Sequence, residues 1–161
     1  MRKINNVHLH EDPEKYQCFG CSPFNQSGLQ LEFWEDGDEV FTVWEPQHQL
    51  MGWQNIVHGG IQATLMDEVS GWLVYVKCGT AGVTSQLNVK YRKPLLISNG
   101  PLTVKSKLKE RNRKFALIHS VIISNNEVCA EGELKFYLYP ENIARSQFHY
   151  PGVDAFFESK A

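Results

Sequence analysis

Neither sign of charge dominates this 161-residue sequence. Sixteen Lys and Arg stand against eighteen Asp and Glu, a formal net charge of −2. A protein that tracks a phosphate backbone shows a basic excess or stripe, so nucleic acid is not an expected partner. The densest basic cluster, Lys90, Arg92 and Lys93, is too small to change that. No apolar run is long enough to cross a bilayer, so no membrane partner is expected. The opening residues Met1-Arg2-Lys3-Ile4 lead into no apolar stretch, which argues against a secretory leader and for a cytoplasmic protein with its four cysteines reduced. Also missing are a Gly-x-Ser-x-Gly elbow, a nucleotide-binding glycine loop, internal repeats and any linker rich in Pro, Gly or Ser. The composition that remains, 42% hydrophobic and 12% aromatic, is too apolar for disorder and sufficient for one globular core.

Residues 1–27 are polar and read as an irregular N-terminal arm, 28–140 as the folded domain, and 141–161 as a C-terminal tail. Within the domain the hydrophobic period is mostly two. Leu29, Leu31 and Phe33 alternate with polar or less buried neighbours, Asp36-Gly37-Asp38 supplies a turn, and Val40–Glu45 reads as the returning strand. Four further strand-like runs follow: Gln86 to Pro94, Leu102 to Lys109, Phe115 to Ile123 and Val128 to Leu138. Between the two groups lies one helix, about Gly59 to Lys77, with Ile61, Leu65, Val69, Trp72 and Val76 on one stripe. Two strands, a buried helix and four strands imply an α+β fold with a six-stranded antiparallel sheet.

Asp67 and Glu68 are adjacent acids in the middle of this apolar helix. Burying an ionised carboxylate is costly unless it is paired or hydrogen-bonded. Asp67 falls on the wheel with Ala63, Ser70 and Gly71, a small-residue face that leaves room for a ligand or a second chain. Glu68 falls beside Ile61, so the wheel alone does not choose between them. A structural ion pair is the competing explanation for either acid. His58-Gly59-Gly60 opens the helix, where glycines let the backbone approach a ligand and free N–H groups could hold a developing oxyanion. A tight turn capped by His58 is the plainer account of the same residues.

Taken together, His58-Gly59-Gly60-Ile61-Gln62-Ala63-Thr64-Leu65-Met66-Asp67 resembles the signature of the PaaI-type (4-hydroxybenzoyl-CoA thioesterase-like) branch of the hotdog-fold acyl-CoA thioesterases. Thr84 to Pro94 is similar to the strand that follows the helix in that branch. Cys18-Phe19-Gly20-Cys21 with Asn25 and Gly28-Leu29 is similar to its opening segment. The resemblance selects Asp67 over Glu68. It implies a hotdog fold, a long central helix wrapped by the sheet, working as a homodimer or a dimer of dimers with no cofactor and no metal. It implies hydrolysis of an acyl-CoA substrate at the dimer interface. There Gly59, flanked by His58 and Gly60, would polarise the thioester carbonyl, and Asp67 of the partner subunit would attack it or activate water, assisted by Thr84. His48, Gln49, Asn55 and Arg92 are the implied substrate-binding residues. The segment Met51 to Val57 is bulkier than the commoner glycine-rich version.

The rival of a different class is a non-catalytic acyl-CoA-binding hotdog domain, a sensor or carrier. Retention of Asp67 favours the enzyme. Cys18-x-x-Cys21 has no second pair at ligand spacing, since Cys78 and Cys129 are isolated, so zinc is not expected.

Overall fold

The computed structural model describes residues 1–158, so the last three residues of the expected tail lie outside the described residues. Seven strands form one antiparallel sheet: β1 (Arg2–Ile4), β2 (Phe33–Asp36), β3 (Glu39–Trp44), β4 (Gly82–Tyr91), β5 (Leu102–Arg111), β6 (Phe115–Ser124) and β7 (Glu127–Leu138). Their order is β1-β2-β3-β5-β6-β7-β4. The long helix α1 (Gly59–Leu73) lies between β3 and β4 in the chain, and a short α2 (Glu141–Phe148) follows the sheet.

The six strands read from periodicity are present, and the seventh corrects the expected count. It comes from the arm that was expected to be irregular: Ile4 pairs with Phe33 and Arg2 with Glu35, covering what would otherwise be the open edge of β2. Three residues with one buried side chain leave no readable alternation, which is why this strand escapes a period-two search. β2 in turn begins only at Phe33. Leu29 and Leu31 are buried as alternation implies, but Gln30 has φ +50°, which breaks the extended chain between them.

α1 buries Leu65, Met66, Val69, Trp72 and Leu73 against the concave face of the sheet. Trp72 stacks on Phe33 with ring centroids 4.6 Å apart. After Leu73 the helix widens into one π turn, Val74–Cys78, and Gly79 ends it with φ +65°. The small-residue face divides differently from the wheel. Ser70 turns inward and is fully buried, its hydroxyl 3.0 Å from that of Ser106, which continues to Ser120 at 3.0 Å. Gly71 and Asp67 instead line a cavity.

The crossover from α1 places β4 at the far edge of the sheet, paired only with β7 among the described residues. This ten-residue edge strand exposes Val83 and Tyr91, with Leu87 and Val89 partly covered. Along it lie Thr84 and Tyr91, facing two separate stations on α1.

Candidate active site

The first station is the start of α1. His58 precedes the helix with φ −55° and ψ 135°, and its ring Nδ1 accepts the Gly60 N–H at 2.9 Å. That cap satisfies one of the orphan donors of the first turn. The Gly59 N–H meets no acceptor among the described residues and stands at the positive end of the helix dipole. Tyr91 of β4 reaches across to this turn, and its hydroxyl donates to the Gly59 carbonyl oxygen at 2.7 Å. A Cβ on Gly59 would lie 3.3 Å from that hydroxyl, a close contact that a small shift of the exposed Tyr91 side chain relieves. Tyr91 was not singled out from sequence, because an aromatic residue at the end of a strand carries no signal of where its hydroxyl points.

The surrounding candidates fall into two groups. His48 and Gln49 sit exposed on a single 3₁₀ turn, His48–Leu50, held to the helix start by the His58 N–H bonding to the Leu50 carbonyl at 3.0 Å. Gln49 donates to the Gln47 side chain at 2.7 Å. Asn55 and Arg92 are engaged elsewhere. Asn55, at φ +63°, donates to the Ser98 hydroxyl at 2.9 Å and accepts the Ser98 N–H at 2.9 Å, which locks the loop before α1. Arg92 forms an ion pair with Glu131 at 2.5 Å.

The second station is Asp67. Thr84 of β4 donates its hydroxyl to Asp67 Oδ1 at 2.5 Å, and no lysine or arginine pairs with the carboxylate among the described residues. The structural ion pair weighed for this residue is therefore not what holds it. Burial raises the Asp67 carboxyl above its ordinary range, and the Thr84 hydrogen bond opposes that only in part. The group faces a cavity of about 480 Å³ that also touches Gly71, Tyr75, Phe136 and Phe148. Its walls are mixed, with Trp72, Tyr75, Phe136 and Phe148 beside His8, Glu11, Glu68 and His149.

Glu68 has a different setting. Its Oε1 accepts from the Trp72 indole at 3.2 Å and from the Cys18 thiol at 3.5 Å, under the loop that carries Cys18 and Cys21. Gly20 lies so close that a Cβ there would be 2.3 Å from the Glu68 carboxyl carbon. Both acids line the same cavity, but one is held by the Thr84 hydroxyl and the other lies under the N-terminal loop. The helical wheel had no means of showing that cover.

The two stations are eight residues apart on one helix. At 1.5 Å rise per residue, the Gly59 amide and the Asp67 backbone of one chain are separated by about 12 Å. That exceeds what one carbonyl group can bridge.

Residues 54–130 match the model of the family described as Thioesterase superfamily. The match contains the His58-Gly59-Gly60 turn, Asp67 and Thr84. Among solved structures the chain is similar to a Streptococcus mutans protein bound to acetyl CoA, at 20% identity over 83% of this chain and 98% of that one, with a TM-score of 0.65. It is similar to a Bacillus halodurans protein solved with CoA, at 26% identity over 70% and 76% of the two chains and a TM-score of 0.62. The E. coli PaaI protein from the phenylacetic acid degradation operon superposes with a TM-score of 0.62, at 16% identity over 70% and 82%. No curated protein sequence matches this chain. The fold is therefore the α+β hotdog fold of the thioesterases. Its central segment, from the loop before α1 into β7, carries the thioesterase-superfamily pattern.

Proposed function

We propose that this protein hydrolyses an acyl-CoA thioester to the free carboxylate and CoA, in a site completed by a second copy of the chain. The observation that carries this reading is Asp67: a half-buried carboxylate on a cavity wall with no cationic partner among the described residues, held by one hydroxyl. Such a group keeps a free oxygen for water or for a carbonyl carbon, and its raised pKa makes it a stronger base than an exposed aspartate.

The Gly59 N–H is the oxyanion donor. It has no acceptor among the described residues, while His58 takes the neighbouring Gly60 N–H, so one donor, worth about 3–4 kcal/mol, is free for the reacting carbonyl. Tyr91 anchors the next peptide, Gly59–Gly60, through its carbonyl oxygen, and so fixes the far side of Gly59. Because about 12 Å separates the two stations along one helix, the thioester bound at Gly59 of one protomer meets Asp67 of the partner subunit. The long exposed edge of β4 is where a second sheet edge would join, since an unpaired strand of ten residues is a ready template for pairing. Thioesters suit so small a set of groups, because the thiolate leaves without help from a general acid. His48 and Gln49 stand on the loop that would contact the thioester. CoA bound to similarly folded proteins supports the ligand class.

A thiol-release assay with purified protein across short, long and aromatic acyl-CoAs tests this, with Asp67→Asn alongside. Hydrolysis that is lost in the variant while acyl-CoA binding persists is the expected outcome. Binding without turnover by the native protein on every substrate would replace the enzyme with a non-catalytic acyl-CoA-binding domain.

A further inference from the structure

The loop over Glu68 brings together three groups that the proposed hydrolysis does not use. The Cys18 and Cys21 sulfurs and a Glu68 carboxylate oxygen all lie within 4.8 Å of one another. We propose that Cys18, Cys21 and Glu68 form a Zn²⁺ site that fastens the N-terminal loop to α1.

Geometry supports a tetrahedral ion here. With standard Zn–S and Zn–O lengths of about 2.3 and 2.1 Å at a tetrahedral angle, sulfur and oxygen ligands of one zinc stand about 3.6 Å apart. Cys18 Sγ and Glu68 Oε1 are 3.5 Å apart. That distance serves a thiol hydrogen bond, and it is also the spacing that two ligands of one ion adopt. Two thiols and a carboxylate suit zinc, a cation of intermediate softness, better than magnesium or calcium, which take oxygen donors alone.

Charge points the same way. No lysine or arginine pairs with Glu68 among the described residues, so a divalent cation bound here would meet two sulfurs and a carboxylate with no competing side-chain cation.

The scaffold around the three groups is fitted to this convergence. Gly20 lets the loop lie on Glu68 in its present rotamer, because a Cβ would come within 2.3–2.4 Å of its carboxyl group and displace it. Gly28 permits the loop to fold back, its absent Cβ falling 2.5 Å from the Phe19 carbonyl. Outer partners orient the ligands in the manner of metal sites generally. The Tyr16 hydroxyl is 3.2 Å from Cys21 Sγ and is itself held by the Asn6 amide at 2.8 Å, while the Trp72 indole fixes Glu68. All three groups line the cavity that Asp67 also lines, from which water would complete the shell.

The full-length protein, made metal-free and kept reduced with a phosphine, is titrated with Zn²⁺ against a chromophoric chelator and separately with Co²⁺. Expected are one ion per chain, a thiolate-to-cobalt charge-transfer band, and visible bands of tetrahedral intensity. Cys18→Ser with Cys21→Ser should abolish the charge-transfer band. Glu68→Gln should weaken Zn²⁺ binding by more than about 100-fold, beyond the loss that outer partners alone produce. Asp67→Asn should bind Zn²⁺ as the native chain does, which separates this site from the hydrolytic one. Circular dichroism verifies that each variant is folded. A folded native protein that shows no stoichiometric binding or no charge-transfer band overturns the proposal, as does Zn²⁺ affinity unchanged in the double cysteine variant.

Discussion

Replacing Gly59 with proline removes one proton and little else, so it isolates the proposed oxyanion donor. Gly59 is the first helical residue, where the N–H has no intrahelical acceptor and proline is well tolerated. His58 already has φ −55° and ψ 135°, the extended conformation that a following proline requires. The cap from the Gly60 N–H to His58 is untouched. The added ring carbons meet Tyr91, whose hydroxyl lies 3.3 Å from a Cβ at this position, and an exposed side chain can give by the few tenths of an ångström needed. Stability should therefore change by less than about 1 kcal/mol, within the range of ordinary surface substitutions and small local strain. Losing one oxyanion donor should lower kcat about 10²–10³-fold, equivalent to about 2.7–4 kcal/mol. The thiol-release assay reads the activity and thermal unfolding reads the stability. Mixing the Gly59→Pro and Asp67→Asn chains after subunit exchange adds a sharper readout. If each site takes its amide from one protomer and its carboxylate from the other, a mixed dimer regains one intact site, and random exchange restores about a quarter of native activity. A fully active Gly59→Pro variant, or a mixture no more active than its parts, would refute the composite site.

Three further outcomes test individual contacts. Tyr91→Phe removes the hydrogen bond to the Gly59 carbonyl, worth about 0.5–1.5 kcal/mol, and should lower kcat/KM by about two- to tenfold with the far-ultraviolet spectrum unchanged. Burial alone would raise the Glu35 carboxyl, but hydrogen bonds and charge from Arg2 and Lys77 override it and hold the group below its ordinary range. A depressed folded pKa stabilises above the unfolded carboxylate range, and that stability is lost as pH falls through the folded value. Glu35→Gln should thus cost about 1–2 kcal/mol near pH 7, and the native and variant denaturation curves should converge in strong acid. An equal gap at all pH values would contradict the ion-pair account. Gly132→Ala puts a Cβ 2.7 Å from the Met66 sulfur, in the fully buried contact between β7 and α1. Overpacking of this kind should destabilise by about 1–3 kcal/mol in a denaturant titration, and an unchanged midpoint would mean that Met66 moves aside freely.

Local pattern was enough to read six of the seven strands, the helix and the helix opening in the sequence. Period two marks β3 and β5–β7 because each has one buried face, and the stripe from Leu65 to Trp72 marks α1 because the sheet covers it. The start of α1 was legible because a capped glycine turn is a chain-local device, made by His58, Gly59 and Gly60 alone. The resemblance to thioesterases, resting on those same residues and Asp67, was legible for that reason too.

Contacts between distant segments could not be read in this way. β1 became a strand only because β2 offered an open edge 29 residues away, at Ile4 and Phe33. The helical wheel left Asp67 and Glu68 equivalent, since both lie near the margin of the buried face. Folding separated them by setting Thr84 against one and the Cys18–Cys21 loop against the other. The same loop brings Cys18-x-x-Cys21 onto Glu68, 47 residues beyond Cys21, a juxtaposition that spacing rules do not show because they register only residues close in sequence. Tyr91 gained its place over Gly59 when the crossover carried β4 to the far edge of the sheet. Sequence periodicity reports which face of an element is buried. Only the tertiary fold decides which residue is buried against which, and the chemistry of a site depends on that pairing.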